Sequence, residues 1–128
     1  MGTTINATAA PSVSAYVYSV ESEKVGREIV TGRQTTQRDH GGRWLYIKTD
    51  EIGMGNAPQA RLLGSPLKEI ATERLCNTGR GVGACKRGDT IVGYRRTWDA
   101  SGREGGNFEF MIFPRGPGAT VRVGFQVQ

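Results

Sequence analysis

The two cysteines, Cys76 and Cys85, are the residues whose type and spacing say most about the chemistry of this chain. They enclose a glycine-rich stretch, residues 77–84, that could close a loop. A single short-range cysteine pair in a small chain is typical of secreted domains. A reactive thiol would favour a Cys-x-x-Cys spacing or a neighbouring histidine, and a zinc site would need more ligands. We therefore predict a structural disulfide formed outside the cytosol, with free thiols in a reducing compartment as the alternative.

The single histidine, His40, follows Asp39 in a polar segment that ends in two glycines. This pair could orient an imidazole for acid–base catalysis or for contact with a phosphate. No Gly-x-Ser-x-Gly nucleophile elbow accompanies it. We expect His40 to be an exposed loop residue, and we predict no catalytic residue, no metal and no cofactor. A small secreted hydrolase or toxin around Asp39 and His40 stays open as an alternative.

Aromatic and basic residues from two predicted strands form the third group of residues that could bind a ligand. Rings beside arginines can stack on sugars or bases without any catalytic group. Most large aromatic residues of a small β domain, however, pack in the core or across strands. The candidate ligand-binding residues are Trp44, Tyr94, Arg95, Arg96 and Trp98.

The formal charge of +5 comes mainly from arginines that are scattered along the 128 residues. No block of like charge stands out, which favours a solvated surface over a polyanion-binding patch. The partner classes left open are a glycan or another polyanion such as nucleic acid. No stretch of the sequence is long and apolar enough to span a membrane.

Alternating apolar residues, separated by turn residues, predict the strands that must position these groups. Nineteen glycines imply many tight turns. A break in regular structure is expected over 53–58, and the strand over 106–113 is expected to pair with the one over 90–98. The predicted strands cover residues 12–20, 27–31, 43–49, 60–63, 90–98, 106–113 and 120–127.

The segment 65–77 is the one place where a helix competes with a strand. Ser65 could cap a helix, Pro66 suits its first turn, and the apolar residues that follow recur at helical spacing. A strand over 72–76 would instead form a hairpin with the residues from Thr90 onward, with the cysteine loop at its tip. Both interpretations stay open.

Six or more short strands with at most one short helix, near 66–76, predict a mainly β fold. We expect an antiparallel β-sandwich or a partly open barrel. The length fits one β domain over 12–128, preceded by a flexible lead-in over 1–11. The first four residues lack a basic start and an apolar h-region. A secreted or periplasmic location is therefore inferred from the cysteine pair and not from a leader.

The order of motifs adds a family resemblance. Residues 39–46, the glycines at 53 and 55, and residues 91–102 followed by the aromatic strand from 106 make up a pattern that resembles the YolA-like family of small secreted bacterial domains of unknown function. The resemblance spans roughly 14–113, and the cysteine pair departs from it. It implies export and offers no catalytic residues. Similarity to a small seroreactive antigen of a pathogenic bacterium implies a non-enzymatic surface-recognition domain that host antibodies would meet.

Overall fold

The computed structural model describes residues 13–128, and these residues form two antiparallel β-sheets. The predicted lead-in over 1–11 lies outside the described residues. Within the described part, no helix is long and apolar enough to cross a membrane. The strands are β1 (Ser14–Ser22), β2 (Gly26–Ile29), β3 (Leu45–Ile52), β4 (Gly55–Leu62), β5 (Ser65–Pro66), β6 (Lys68–Asn77), β7 (Val82–Ala84), β8 (Thr90–Asp99), β9 (Gly106–Pro114) and β10 (Val121–Val127).

The larger sheet has the strand order β2-β1-β3-β8-β6-β7, and the smaller sheet has the order β10-β9-β4-β5. The inner faces of the two sheets enclose one apolar core, so the prediction of an antiparallel sandwich or partly open barrel is confirmed. In β9 the alternate residues Phe108, Phe110 and Ile112 are each at most 1% exposed. As the period of two predicts, these three residues share the inner face of the strand. Phe125 and Val127 of β10 are buried in the same core.

The open question at 65–77 is resolved in favour of strands. β6 pairs with β8 along its whole length, and Asn77 lies opposite Thr90 at the end of this ladder. The apolar residues at helical spacing would require a buried helix face, but Ile70 is 46% exposed. Pairing with β8 therefore overrides the local helix signals.

Two expectations about strand pairing and breaks are wrong. β9 pairs with β4 and β10 and not with β8, because the chain passes from one sheet to the other between Asp99 and Gly106. The predicted break over 53–58 is confined to residues 53–54, since β4 begins at Gly55. The turn-forming residues after Gly55 lie in a register irregularity between Asn56 and Gln59.

The predicted disulfide joins Cys76 and Cys85, whose Cα atoms are 4.9 Å apart. β7 and β8 lie on opposite sides of β6. The connection over 85–89 must therefore pass across β6, and the disulfide ties the start of this connection to the strand that it crosses. Cys76 is fully buried and Cys85 is exposed.

Candidate binding face and the buried histidine

Four aromatic side chains gather on the outer face of the six-stranded sheet. Successive residues of a strand point to opposite faces, and residues opposite each other on paired strands share a face. Tyr16 of β1 lies opposite Asp50 of β3, on the face away from the core. Trp44 stacks on Tyr46, with ring centroids 5.6 Å apart and planes 19° apart. All four rings are partly exposed. The aromatic face consists of Tyr16, Tyr18, Trp44 and Tyr46.

Arg95 of β8 anchors the middle of this face. It lies opposite Asp50 in the ladder, and its Nε and Nη2 donate hydrogen bonds of 2.7 and 2.9 Å to the two carboxylate oxygens. Its guanidinium carbon is 3.4 Å from the centroid of the Tyr18 ring. The hydrogen bond to Asp50 raises the pKa of Arg95. Burial, followed by the neighbouring Asp50 carboxylate, raises the pKa of Tyr16, so this phenol stays protonated over the ordinary pH range.

The charges beside the aromatic rings are balanced. Lys48 lies 3.7 Å from the Glu73 carboxylate, and Arg95 is paired with Asp50. A polyanion binds mainly by exchanging its counterions for free cations. The two cations at the centre of the face already have carboxylate partners, whereas Arg27, opposite Glu21 at the β2 edge, is exposed. The centre of the face suits a neutral ligand better than a polyanion.

The structure separates the five candidate ligand-binding residues. Trp44 and Arg95 lie at the aromatic face, whereas Tyr94, Arg96 and Trp98 point to the opposite side of the sheet. Trp98 is 2% exposed, packs against Phe110 and donates a hydrogen bond of 2.9 Å to Thr49 Oγ1. It is a core residue, and the expectation that it helps form a binding surface is corrected.

Arg96 serves the structure on that inner side. Its Nε and Nη2 donate to the carboxylate of Glu51, at 2.7 and 3.1 Å, and its Nη1 donates to Glu69 at 3.0 Å. Glu51 is only 1% exposed. Removing the charge of Arg96 would leave a buried carboxylate without its partner, which is costly. The hydrogen bonds of this guanidinium therefore link β8 to β3 and to β6.

His40 is buried, and the expectation of an exposed loop residue is wrong. Its side chain is 1% exposed, its Nδ1 lies 2.9 Å from Ser22 Oγ, and its Nε2 lies 3.0 Å from Glu28 Oε1. The backbone N–H of His40 donates to the carbonyl of Gln128. These bonds pull the polar segment 33–42 down onto β1, β2 and the end of β10, which explains the burial.

Asp39 does not interact with the His40 ring through a hydrogen bond. Its carboxylate is exposed and pairs with Lys24 Nζ at 2.7 Å. A cavity of about 160 Å³ lies beside these residues, lined by Lys24, Asp39, His40, Gly41, Gly42 and Glu104. The carboxylate that serves the imidazole is Glu28, twelve residues earlier in the chain.

Ser22, His40 and Glu28 form a hydrogen-bonded line of the kind that activates a serine in hydrolases. An imidazole that donates from Nε2 to Glu28 and accepts at Nδ1 from Ser22 satisfies all three groups. The Ser22 side chain is fully buried, so its oxygen has no access to a substrate. The arrangement fixes the loop and does not present a nucleophile. Among residues 13–128, no group of three or more His, Cys, Asp and Glu side chains is arranged to hold a metal.

Sequence reasoning did not select Tyr18, Asp50, Glu28 or Ser22. Asp50 joins the site through strand register, which has no signal in a single sequence. The period of two in β1 places Tyr16 and Tyr18 on one face, a signal that adds to the aromatic and basic residues of the strands over 43–49 and 90–98.

The fold and the site define a small two-sheet β domain with one disulfide, an aromatic face whose central cations are paired, and a buried histidine cluster. The model of the family described as a domain of unknown function, DUF4879, matches residues 7–127, and the chain belongs to this family. No curated protein and no solved structure matches the chain.

Proposed function

We propose that this protein is a non-enzymatic recognition domain that acts outside the cytosol and binds a neutral glycan on its aromatic face. The observation that carries the proposal is the partly exposed Trp44–Tyr46 pair, set among ion pairs that leave no unpaired cation at Lys48 or Arg95. Aromatic rings contribute a large contact area at low entropic cost, and such rings can stack on the apolar faces of sugars.

The location and biological setting of the proposal have separate support. The Cys76–Cys85 disulfide is compatible with an extracellular or periplasmic protein. The resemblance to the YolA-like family implies export from a bacterial cell. In a pathogen, such a domain would be exposed to the host and would meet antibodies, in keeping with the similarity to a seroreactive antigen.

The test uses the full chain with two neutral probes, a β-1,4-linked N-acetylglucosamine tetramer in calorimetry and insoluble chitin in sedimentation. Trp44→Ala should weaken binding about tenfold, which corresponds to about 1.4 kcal/mol. Phe113→Ala is the matched control, because Phe113 is a 36% exposed aromatic residue on β9 of the other sheet. It should leave binding unchanged.

The salt dependence of the affinity distinguishes a neutral glycan from a polyanion. Because Lys48 and Arg95 at the centre of the aromatic face are paired, affinity should change less than about twofold between roughly 0.05 and 0.5 M salt. A steep loss of affinity over this range would assign the face to a polyanion. Absence of binding to both probes, or equal losses in Trp44→Ala and Phe113→Ala, would overturn the proposal.

A further inference from the structure

Exposed cations are concentrated at the disulfide-bonded end of the six-stranded sheet. Residues 74–89, here called the basic hairpin, contain four basic residues and the single acid Asp89, a formal charge of +3 out of the +5 of the whole chain. All four basic side chains are exposed: Arg74, Arg80, Lys86 and Arg87.

These cations have no ion-pair partners among the described residues. Other groups shape the two turns of the basic hairpin. Asn77 Oδ1 accepts from the N–H of Gly79 at 3.0 Å, and Thr78 pairs with the carbonyl of Gly81. Asp89 Oδ2 accepts from the N–H of Lys86 at 2.9 Å. The basic side chains are therefore free to contact a partner without loosening the turns.

The basic hairpin also exposes an aliphatic group. Val82 of β7 is 48% exposed and lies between Arg80 and Lys86 in the chain. The segment contains no aromatic residue, whereas proteins that bind single-stranded nucleic acid stack bases on aromatic rings. Cations flanking an exposed aliphatic side chain match the interface of an anionic bilayer, where phosphates lie above acyl chains.

We propose that the basic hairpin docks the protein on the surface of an anionic phospholipid bilayer. The arginine guanidinium groups bind headgroup phosphates, for which their planar donors are well suited, and Val82 enters the boundary with the acyl chains. The Cys76–Cys85 disulfide ties the start of the connection over 85–89 to β6, and β7 pairs with the same strand, so the cations approach the surface as one unit. This surface is distinct from the aromatic face, and the inference does not depend on glycan binding.

The experiment sediments the full oxidised chain with vesicles of phosphatidylcholine alone, or with about 30% phosphatidylglycerol, a content that gives a strongly negative surface. We expect binding to the anionic vesicles only, with a loss at high salt. The variant Arg80→Gln/Lys86→Gln/Arg87→Gln should bind roughly 100-fold more weakly, since each cation near such a surface strengthens binding roughly fivefold.

The matched control removes the same charge from the other sheet and its flanking loop: Arg61→Gln/Arg115→Gln/Arg122→Gln, all exposed. It should bind within about threefold of the unsubstituted chain, because local and not net charge governs docking. Equal losses in the two triple variants would overturn the proposal. Trp44→Ala should bind vesicles normally, which keeps this test separate from that of the aromatic face.

Val82→Ser distinguishes a bilayer from other polyanions. We expect it to weaken vesicle binding several-fold at unchanged net charge, because its side chain no longer enters the apolar boundary. The same variants are tested on double-stranded DNA. If Val82→Ser binds vesicles like the unsubstituted chain, or if the protein binds DNA more tightly than anionic vesicles at equal salt, the bilayer assignment is wrong.

Discussion

Glu28 and His40 are both buried, and each supplies a hydrogen-bond partner that water cannot supply to the other. Glu28 also accepts hydrogen bonds from the backbone N–H groups of Gln37 and Arg38 and from the Arg33 guanidinium, at 2.7, 3.2 and 3.1 Å. Burial alone would raise the pKa of Glu28. The hydrogen bonds from Gln37, His40 and Arg38 outweigh burial and lower it.

The lowered pKa of Glu28 determines how its contribution to the stability of the fold changes with pH. Because the folded-state pKa lies below the ordinary value of 4.5, ionised Glu28 stabilises the fold above that value. The contribution is lost as the pH falls through the folded-state pKa, where the carboxylate is protonated in both states.

Glu28→Gln tests this at the scale of one residue. The variant should lower the free energy of unfolding by about 1–3 kcal/mol at neutral pH, because it removes a buried charged acceptor. Urea unfolding at a series of pH values measures it, and the difference from the unsubstituted chain should shrink under acid conditions. Glu109→Gln is the control, since Glu109 forms an exposed pair with Arg122 at 3.8 Å, worth little. A difference that grows on acidification would contradict the account.

Strands were largely predictable from the sequence, whereas their partners were not. The alternation of Phe108, Phe110 and Ile112 is a local pattern and indicated β9 correctly. Which strand lies beside β9 depends on contacts far apart in the chain, whereas the strands predicted over 90–98 and 106–113 are close enough in the sequence to suggest a hairpin. For β6 the sequence left helix and strand open, because its residues suit a helix locally and only the ladder with β8 makes them a strand.

The disulfide acts at the scale of elements, on β6 and on the connection that runs from β7 across β6 to β8. Cys76→Ala/Cys85→Ala should lower the free energy of unfolding by about 2.5–3 kcal/mol, the chain-entropy cost of releasing a short loop. Chemical unfolding of both proteins measures the loss, and far-UV circular dichroism should still report β structure in the variant. Reductant should destabilise the unsubstituted chain and leave the variant unaffected. A variant as stable as the oxidised chain would show that β6 and β7 pair without the crosslink.

At the scale of the whole molecule, the inner face of the larger sheet packs on the smaller sheet, whereas the outer face is open. The sequence does not show which residues lie on which face, and the candidate site could therefore be predicted only in part. Trp44 and Arg95 lie on the open face, where a ligand could reach them, but Trp98 does not, although all three stand among aromatic and basic residues in the sequence. One face of β8 packs on the smaller sheet, and residue type alone does not show which face that is. Trp98 lies on the packed face and Arg95 lies on the open one.

The same division predicts opposite outcomes for two phenylalanines of one strand. Phe110 is fully buried between the sheets and contacts Trp98, whereas Phe113, three residues further along, is 36% exposed. Phe110→Ala should lower the free energy of unfolding by about 3–5 kcal/mol, the loss of buried area plus the cavity left behind. Phe113→Ala should cost about 1 kcal/mol, since Phe113 is 36% exposed and its removal leaves no enclosed cavity. Thermal and urea unfolding of the two variants compares them directly. Similar losses would mean that the two sheets do not share the core described here. In a sandwich, the loss of stability depends on whether the substituted residue of β9 faces the core or the solvent.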